Sequence, residues 1–461
     1  MFSTSTYQAR RRALIDQMPE NGIVFLPGNR EIGKNYAANV VDFRQDSNFL
    51  YYLGLTHRSV DATLDLGTGE TTLYGTDATL DDTVWTGPQP TLRELADRCG
   101  AERTGNPNEL YQLLDQAEVR VHYLPPYHGA TQIRLSDYLN LPVEAVPDNA
   151  SSALTKAVIQ QRSHKTTEEI ADMERALRTT KLMHETVMRA ARPGMREAAL
   201  AGTVRGLAMA GGGDLAYGII LTRNGQTLHN HHHDNLIQEG DLILGDFGAE
   251  TAGGYAADIT RTFPVSKQFT PEQRDVYQAV LDAENNAIDR CRPGVPYRDI
   301  HRAAALDLSQ RLADMGLMRG NLEDAVAQGA HALFFPHGLG HMIGLDVHDM
   351  EGLGEDHVGY TDKIRRSDQF GTAFLRLGRE LEAGFVITVE PGIYFIPELM
   401  DQWRGAGKFT DYLNYDAIDR FRDFGGIRIE DNVLITEDGH RVLGDPIAKT
   451  VAEVETLRAR D

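Results

Sequence analysis

Cysteine is nearly absent from the chain. Only Cys99 and Cys291 occur among 461 residues. They are far apart and fit no C-x-x-C metal or redox spacing, and a reducing, cytoplasmic setting is the economical expectation. Long apolar runs are missing as well. No window approaches the roughly eighteen apolar residues of a membrane span, and Met1-Phe2-Ser3-Thr4 opens no leader pattern. Positive charge is scarce: 46 Lys and Arg against 67 Asp and Glu leave a formal net charge of −21. Nucleic-acid binding depends on clustered basic residues, so that balance speaks against a polyanionic partner. Part of the acidic excess suits carboxylates meant for cations. What remains, 41% hydrophobic and 25% charged residues, is the composition of a globular protein, long enough for two or three domains.

The first 150 residues alternate strand and helix signals, enough for one α/β domain. Residues 7–18 read as a short basic helix and 22–28 as a buried strand between turns. Residues 61–66 and 71–74, around Gly67-Thr68-Gly69, predict a hairpin. Helices are expected at 92–98 and 108–116, and a strand at 119–124. No catalytic constellation occurs here, and Trp85 reads as core or interface. A junction near residues 147–155 divides the chain into an N-terminal domain, 1–155, and a catalytic domain, 156–461. Thr166-Thr167-Glu168-Glu169 then predicts a capped start to a long helix. Thr270-Pro271-Glu272-Gln273 predicts a second helix, and residues 298–315 a third.

Chemistry concentrates in the second part. Residues 335–349 hold three histidines, two aspartates and three glycines, a density of imidazole that a packed core does not need and a metal or acid–base site does. The glycines argue for strand and turn over helix. Four histidines at 229, 231, 232 and 233 form either a metal tract or, as the favoured reading, one useful residue, His229, beside an exposed loop. Residues 241–250 deliver Asp246 at the end of an apolar strand, and residues 255–261 return Asp258 beside it. Two such carboxylates repel unless a proton or cation lies between them; the alternative is pairing with Arg261. Two further apolar strands carry Glu390, just before Pro391, and Arg428 with Glu430 on one face. Asp246, Asp258, His341, Glu390 and Glu430 thus offer four carboxylates and one imidazole. Such oxygen-rich ligation suits two divalent ions, Mn²⁺ first, with Co²⁺, Zn²⁺ and Fe²⁺ as the other candidates.

These blocks resemble the proline-specific metallopeptidases, prolidase and aminopeptidase P, of the pita-bread fold shared with methionine aminopeptidase and creatinase. The resemblance runs through Asp258-Ile259-Thr260-Arg261-Thr262-Phe263-Pro264, His337-Gly338-Leu339-Gly340-His341, Val389-Glu390-Pro391-Gly392 and Arg428-Ile429-Glu430-Asp431. Residues 43–49 resemble the family's N-terminal signature. It implies a creatinase-like N-terminal α/β domain followed by a pita-bread catalytic domain, α/β (α+β) in class. It also implies that Asp246, Asp258 and Glu430 hold one metal, that Asp258, His341, Glu390 and Glu430 hold the other, and that Glu390 moves the proton. His229, His337 and His348 would line the substrate site and stabilise the tetrahedral intermediate. Arg376 and Arg428 would bind substrate, Arg376 gripping a dipeptide's terminal carboxylate. The implied partners are proline-containing di- or oligopeptides, and a second or further copies of the chain in a homodimer or homotetramer. One departure is a hairpin between Asp246 and Asp258 one residue longer than usual, which predicts a bulge or longer turn. Residues 375–381 and the insertion at 394–424 resemble prolidases, so Xaa-Pro dipeptidase is the expected activity, with Xaa-Pro aminopeptidase the alternative. A non-enzymatic binding module of the same fold is the reading from another class, disfavoured because all five ligand positions carry ligating side chains.

Overall fold

A computed structural model describes residues 2–459. The mixed α/β chain forms two compact units, one running to Arg162 with Met350–Gly354 added, the other holding the remaining residues from Ser163 onward.

In the first unit a five-stranded sheet runs in the order Arg103–Gly105, Thr71–Tyr74, Asp61–Asp65, Ile23–Leu26, Val121–His122. Ile23–Leu26 is buried along its whole length, as a strand covered on both faces should be. The expected hairpin is present, with Asp61 opposite Tyr74. The first helix starts earlier than expected, at Thr4, because the Ser3 side chain accepts from the Thr6 amide and caps it. The expected strand at 119–124 shrinks to Val121–His122, since the next carbonyl, that of Tyr123, accepts from Ser151 instead of a neighbouring strand. The signature-like residues 43–49 lead into the helix Ser47–Leu53, capped by Asp46 and buried at every position. Trp85 is 83% exposed on the helix Leu80–Thr86, so the core half of its expected role is wrong.

The second unit surrounds short sheets with long helices. Thr167–Ala190 begins with the Thr166–Glu169 capping box and Pro271–Arg290 with the Thr270–Gln273 box, followed by Tyr297–Asp314. Leu242–Asp246 pairs antiparallel with Thr260–Pro264 through five unbroken partners, from Leu242 opposite Pro264 to Asp246 opposite Thr260. The ladder of this hairpin carries no bulge, and residues 247–259 form its long turn. Within that turn Ala249–Glu250 leaves to pair with Asp214–Leu215.

The single strand expected to carry Arg428 and Glu430, residues 425–435, is two. Gly426–Arg428 pairs with Gly392–Tyr394, while Asp431–Ile435 pairs with Val386–Val389. Both breaks have a cause. Pro391 has no amide hydrogen to continue a ladder. Opposite it, the Glu430 amide turns to the Thr260 carbonyl, 3.1 Å away. The two glutamates thus sit where strands change partners, which aims side chains out of the ladders.

Candidate active site

The breaks, the turn after Asp246 and the histidine-rich stretch converge on one cavity of about 820 Å³ within the second unit. Asp246, Asp258, His341, Glu390 and Glu430 all line it, as do His229, His337, His348, Arg376 and Arg428. Its apolar wall includes Ile220, Leu228, Val347, Phe370, Phe374 and Ile396. His231 lines it too, its ring 6.5 Å from that of His229. Of that loop's four histidines, His229 and His231 both reach the cavity.

Asp258 lies just before its strand and is held by its backbone. Its amide donates to Asn432 Oδ1 at 3.1 Å, and Asn432 Nδ2 donates back to its carbonyl at 2.6 Å. His341 belongs to no regular strand; its amide donates to Thr388 Oγ1 at 3.1 Å, next to the single bridge Met342–Ile387. The strand-and-turn expectation for residues 335–349 is thus mostly turn. Gly340 is obligatory there, because a Cβ would lie 2.1 Å from the Thr388 carbonyl oxygen. His341 Nδ1 meets the Met342 carbonyl at 2.9 Å. That contact requires the proton on Nδ1 and leaves the Nε2 lone pair facing Asp258 Oδ2 at 3.4 Å and Glu390 Oε1 at 3.6 Å.

Asp258, His341 and Glu430 each offer a ligand atom within 4.8 Å of the others, all three residues buried. Glu430 Oε2 accepts from Thr260 Oγ1 at 2.7 Å, whereas its Oε1 is buried with no hydrogen-bond partner. Arg261 does not pair with Asp246 or Asp258. It donates to Asp431 at 2.6 Å and to the Glu430 carbonyl at 2.6 Å, so the simple hairpin ion pair is excluded.

The electrostatics are those of crowded, dehydrated carboxylates. Burial pushes Glu430 well above the usual carboxylate range, and Asp258 and Glu390 push it further. Burial raises Glu390 to about 7 against the pull of His341 and Arg428. Asp246 is raised by burial and by Asp258, although Arg428 opposes the shift. Burial would raise Asp258 as well, but the His341 imidazole beside it and the Tyr217 hydroxyl hold it below its ordinary value. For His341, burial is outweighed by Asp258 and Glu390, and its value rises. An oxygen-rich cluster with a bare Glu430 oxygen and an imidazole lone pair aimed inward fits divalent ions. These cations would relieve the same repulsion that raises the carboxylates.

Two tyrosines complete the site, and neither was singled out in the sequence. The Tyr217 hydroxyl reaches both Asp246, at 2.8 Å, and Asp258. Tyr394 accepts from Arg428 Nη1 at 2.7 Å and stands 2.8 Å from His337 Nε2. Arg428 also pairs with Asp246 and donates through Nε to Thr260 Oγ1 at 3.2 Å. His337 Nδ1 meets the Gly338 carbonyl at 2.8 Å, which makes Nε2 the acceptor of the Tyr394 proton. Burial, reinforced by Arg428, lowers His337 to about 3. Burial and Arg428 lower His229 also.

Comparison with known proteins agrees along the whole chain. Residues 171–437 match metallopeptidase family M24, and residues 7–122 match the aminopeptidase P N-terminal domain. Human Xaa-Pro dipeptidase is 31% identical over 98% of this chain and 93% of its own. Xaa-Pro aminopeptidase of Escherichia coli K12 is 30% identical over 99% of this chain and 98% of its own. Among solved structures, the aminopeptidase PepP of Pseudomonas aeruginosa superposes with a TM-score of 0.82 at 30% identity, covering 99% of this chain and 98% of that one.

Proposed function

The chain belongs to metallopeptidase family M24, and from that membership we propose that it hydrolyses the bond before proline in Xaa-Pro dipeptides. The observation that carries the reading is the convergence of the five ligating side chains and Arg376 on one cavity. Asp246, Asp258, His341, Glu390 and Glu430 would hold two divalent ions, Mn²⁺ in first place for so oxygen-rich a set. Bound there, such ions supply a polarised scissile carbonyl and a water made nucleophilic at neutral pH.

The chain's own residues do the remainder. Glu390, at the break beside Pro391, carries a proton toward the departing proline nitrogen. His229 and His348, on the cavity wall, donate hydrogen bonds to the oxygen on which charge develops. His337 has both nitrogens engaged by Gly338 and Tyr394, so it stiffens the wall and holds Arg428 in line through Tyr394. A proline nitrogen in peptide linkage carries no hydrogen, so recognition falls to shape; Ile220, Leu228, Val347 and Ile396 offer apolar surface for it. The catalytic domain is assigned to residues 156–461. Two buried, free cysteines suit a reducing cytoplasm.

Release of the N-terminal residue from longer Xaa-Pro peptides is the second reading, favoured by the near-equal identity to the two kinds of relative. Arg376 tips the choice. It lines the cavity and pairs through Nε with Glu355 Oε1 at 3.0 Å, not with Glu380. A guanidinium there can grip the free carboxylate of a dipeptide through charge-assisted hydrogen bonds. Glu355 already shares its charge, so the preference for dipeptides is expected to be on the order of tenfold, one lost charged hydrogen bond. Turnover of Ala-Pro against Ala-Pro-Ala, before and after Arg376→Ala, tests this. Equal cleavage of both by the wild type, unaltered by the substitution, would replace the dipeptidase with the aminopeptidase.

A further inference from the structure

Residues 355–379 are built around one side chain. Arg376 has its Nε on Glu355 Oε1 at 3.0 Å, and the other oxygen of that carboxylate accepts from Arg366 Nη2 at 2.6 Å. Arg366 is itself fixed four more ways, one of them a bond from Nη1 to the Ala373 carbonyl at 3.2 Å. It donates to Asp356 at 2.7 Å and to the Leu375 carbonyl at 3.3 Å, and it lies 4.9 Å from the centre of the Tyr360 ring. The Tyr360 hydroxyl donates to the same Leu375 carbonyl at 2.6 Å, immediately before Arg376.

On the far side, the Gly359 carbonyl accepts from the amides of Gly378 and Arg379, each at 2.8 Å. Gly359 approaches so closely that a Cβ there would lie 1.8 Å from the Arg376 carbonyl oxygen. The backbone on both sides of Arg376 and one edge of its guanidinium are thus tied to a single short segment.

We infer that Glu355, anchored by Arg366, is a positioning residue that presents Arg376 to the terminal carboxylate of the substrate. The inference rests on the dipeptidase reading and adds to it the device that sets the strength of the grip. Arginine is long and loses side-chain entropy when it is immobilised on binding; a guanidinium oriented beforehand loses less. Glu355 also keeps the arginine's charge balanced while the cavity is free of substrate. Its two oxygens are split between two arginines, so its carboxylate cannot turn away to water without breaking both bonds. The plain alternative is an ion pair of no consequence, and with side-chain exposures of 32% and 28% the pair by itself would add little to stability. Kinetics separates the two.

The test uses the full-length, metal-loaded protein with Glu355→Gln, Arg366→Lys and Arg376→Ala. KM and kcat for Ala-Pro are measured, together with inhibition constants for L-proline and L-prolinamide. Glu355→Gln is expected to raise KM for Ala-Pro and the inhibition constant of proline about tenfold, the weight of one charged hydrogen bond. It should leave kcat within about twofold and prolinamide inhibition unchanged, because neither depends on a bond to the carboxylate. Arg366→Lys should shift the same two constants in the same direction, and it decides the matter should Glu355→Gln fail to fold. If Arg376→Ala weakens proline but not prolinamide while Glu355→Gln and Arg366→Lys match the wild type, the positioning role is wrong and the carboxylate grip stands. A fall in KM on Glu355→Gln would make Glu355 a competitor of the substrate, which also overturns the inference. If Arg376→Ala leaves the proline-to-prolinamide ratio alone, the dipeptidase reading itself fails.

Discussion

The hydroxyl of Tyr217 donates to Asp258 while standing 2.8 Å from an oxygen of Asp246. One phenol therefore ties together two carboxylates delivered by opposite arms of a hairpin. Burial, with both aspartates adding to it, raises the Tyr217 phenol well above its usual range in the metal-free site, which keeps it a donor there. Tyr217→Phe removes that donor without changing shape. Metal retention under chelator challenge should weaken by roughly 10- to 100-fold, the usual cost of losing a hydrogen bond behind a metal ligand, with the circular-dichroism spectrum unaltered. Wild-type retention would make the tyrosine a spectator.

His348→Ala and His229→Ala address the cavity wall. Each should lower kcat by on the order of 100-fold through lost hydrogen bonding to developing charge, with metal content kept. The check is turnover per bound metal ion. If the variants instead lose metal and keep their rate per ion, the two histidines support the ligands and not the reaction.

Acid should destabilise the fold through imidazoles that bind nothing charged. Burial lowers His301 to about 3 and His331 to about 4, and their rings lie 6.4 Å apart. Above their ordinary value near 6.5 both states are neutral and nothing is lost. As pH falls below 6.5 the unfolded chain takes up protons that the folded one refuses. Stability therefore declines from about pH 6.5 toward 4, by a few kcal/mol across the pair. Urea midpoints between pH 7 and 5 should fall less steeply in His301→Leu/His331→Leu than in the wild type. Equal slopes would refute the assignment.

Lys449 closes a second buried network. Its ammonium lies 2.7 Å from oxygens of both Glu284 and Asp431, and burial together with Asp431 raises Glu284 to about 8. Lys449→Met leaves Glu284 without its cation and Asp431 with Arg261 alone, and should cost roughly 3–5 kcal/mol. Lys449→Met with Glu284→Gln should recover part of that. The measurement is the unfolding free energy at pH 7, where absence of any recovery would show that the two groups are uncoupled.

Much of this site is legible in the sequence, and for a physical reason. Asp246, Glu390 and Glu430 interrupt or end apolar strands, where a charge is expensive unless a cation balances it. His341 sits among glycines that no helix would choose, and Gly340 is needed for close approach to Thr388. Tyr217, Tyr394 and Asn432 were invisible because each looks like ordinary core: they matter through partners distant in sequence, not through a local pattern. The split of residues 425–435 into two strands was hidden for the same reason, since the Glu430 amide turns to Thr260 only after the sheets have met. Helix starts announced themselves at Thr166 and Thr270 through capping boxes. The earlier start at Thr4 rested on a single serine hydroxyl.

The central claim is that the buried carboxylates and His341 hold divalent ions that hydrolysis requires. Its most direct measurement is metal content and Ala-Pro turnover on the same samples: wild type, Asp258→Asn and Glu430→Gln, each stripped with chelator and reloaded with Mn²⁺. The stripped wild type should be folded and inactive. Reloading should restore turnover with about two ions per chain, the number that four carboxylates and one imidazole would hold, while both variants bind fewer ions and remain inactive. Undiminished turnover by stripped wild type, or by either reloaded variant, would contradict the account.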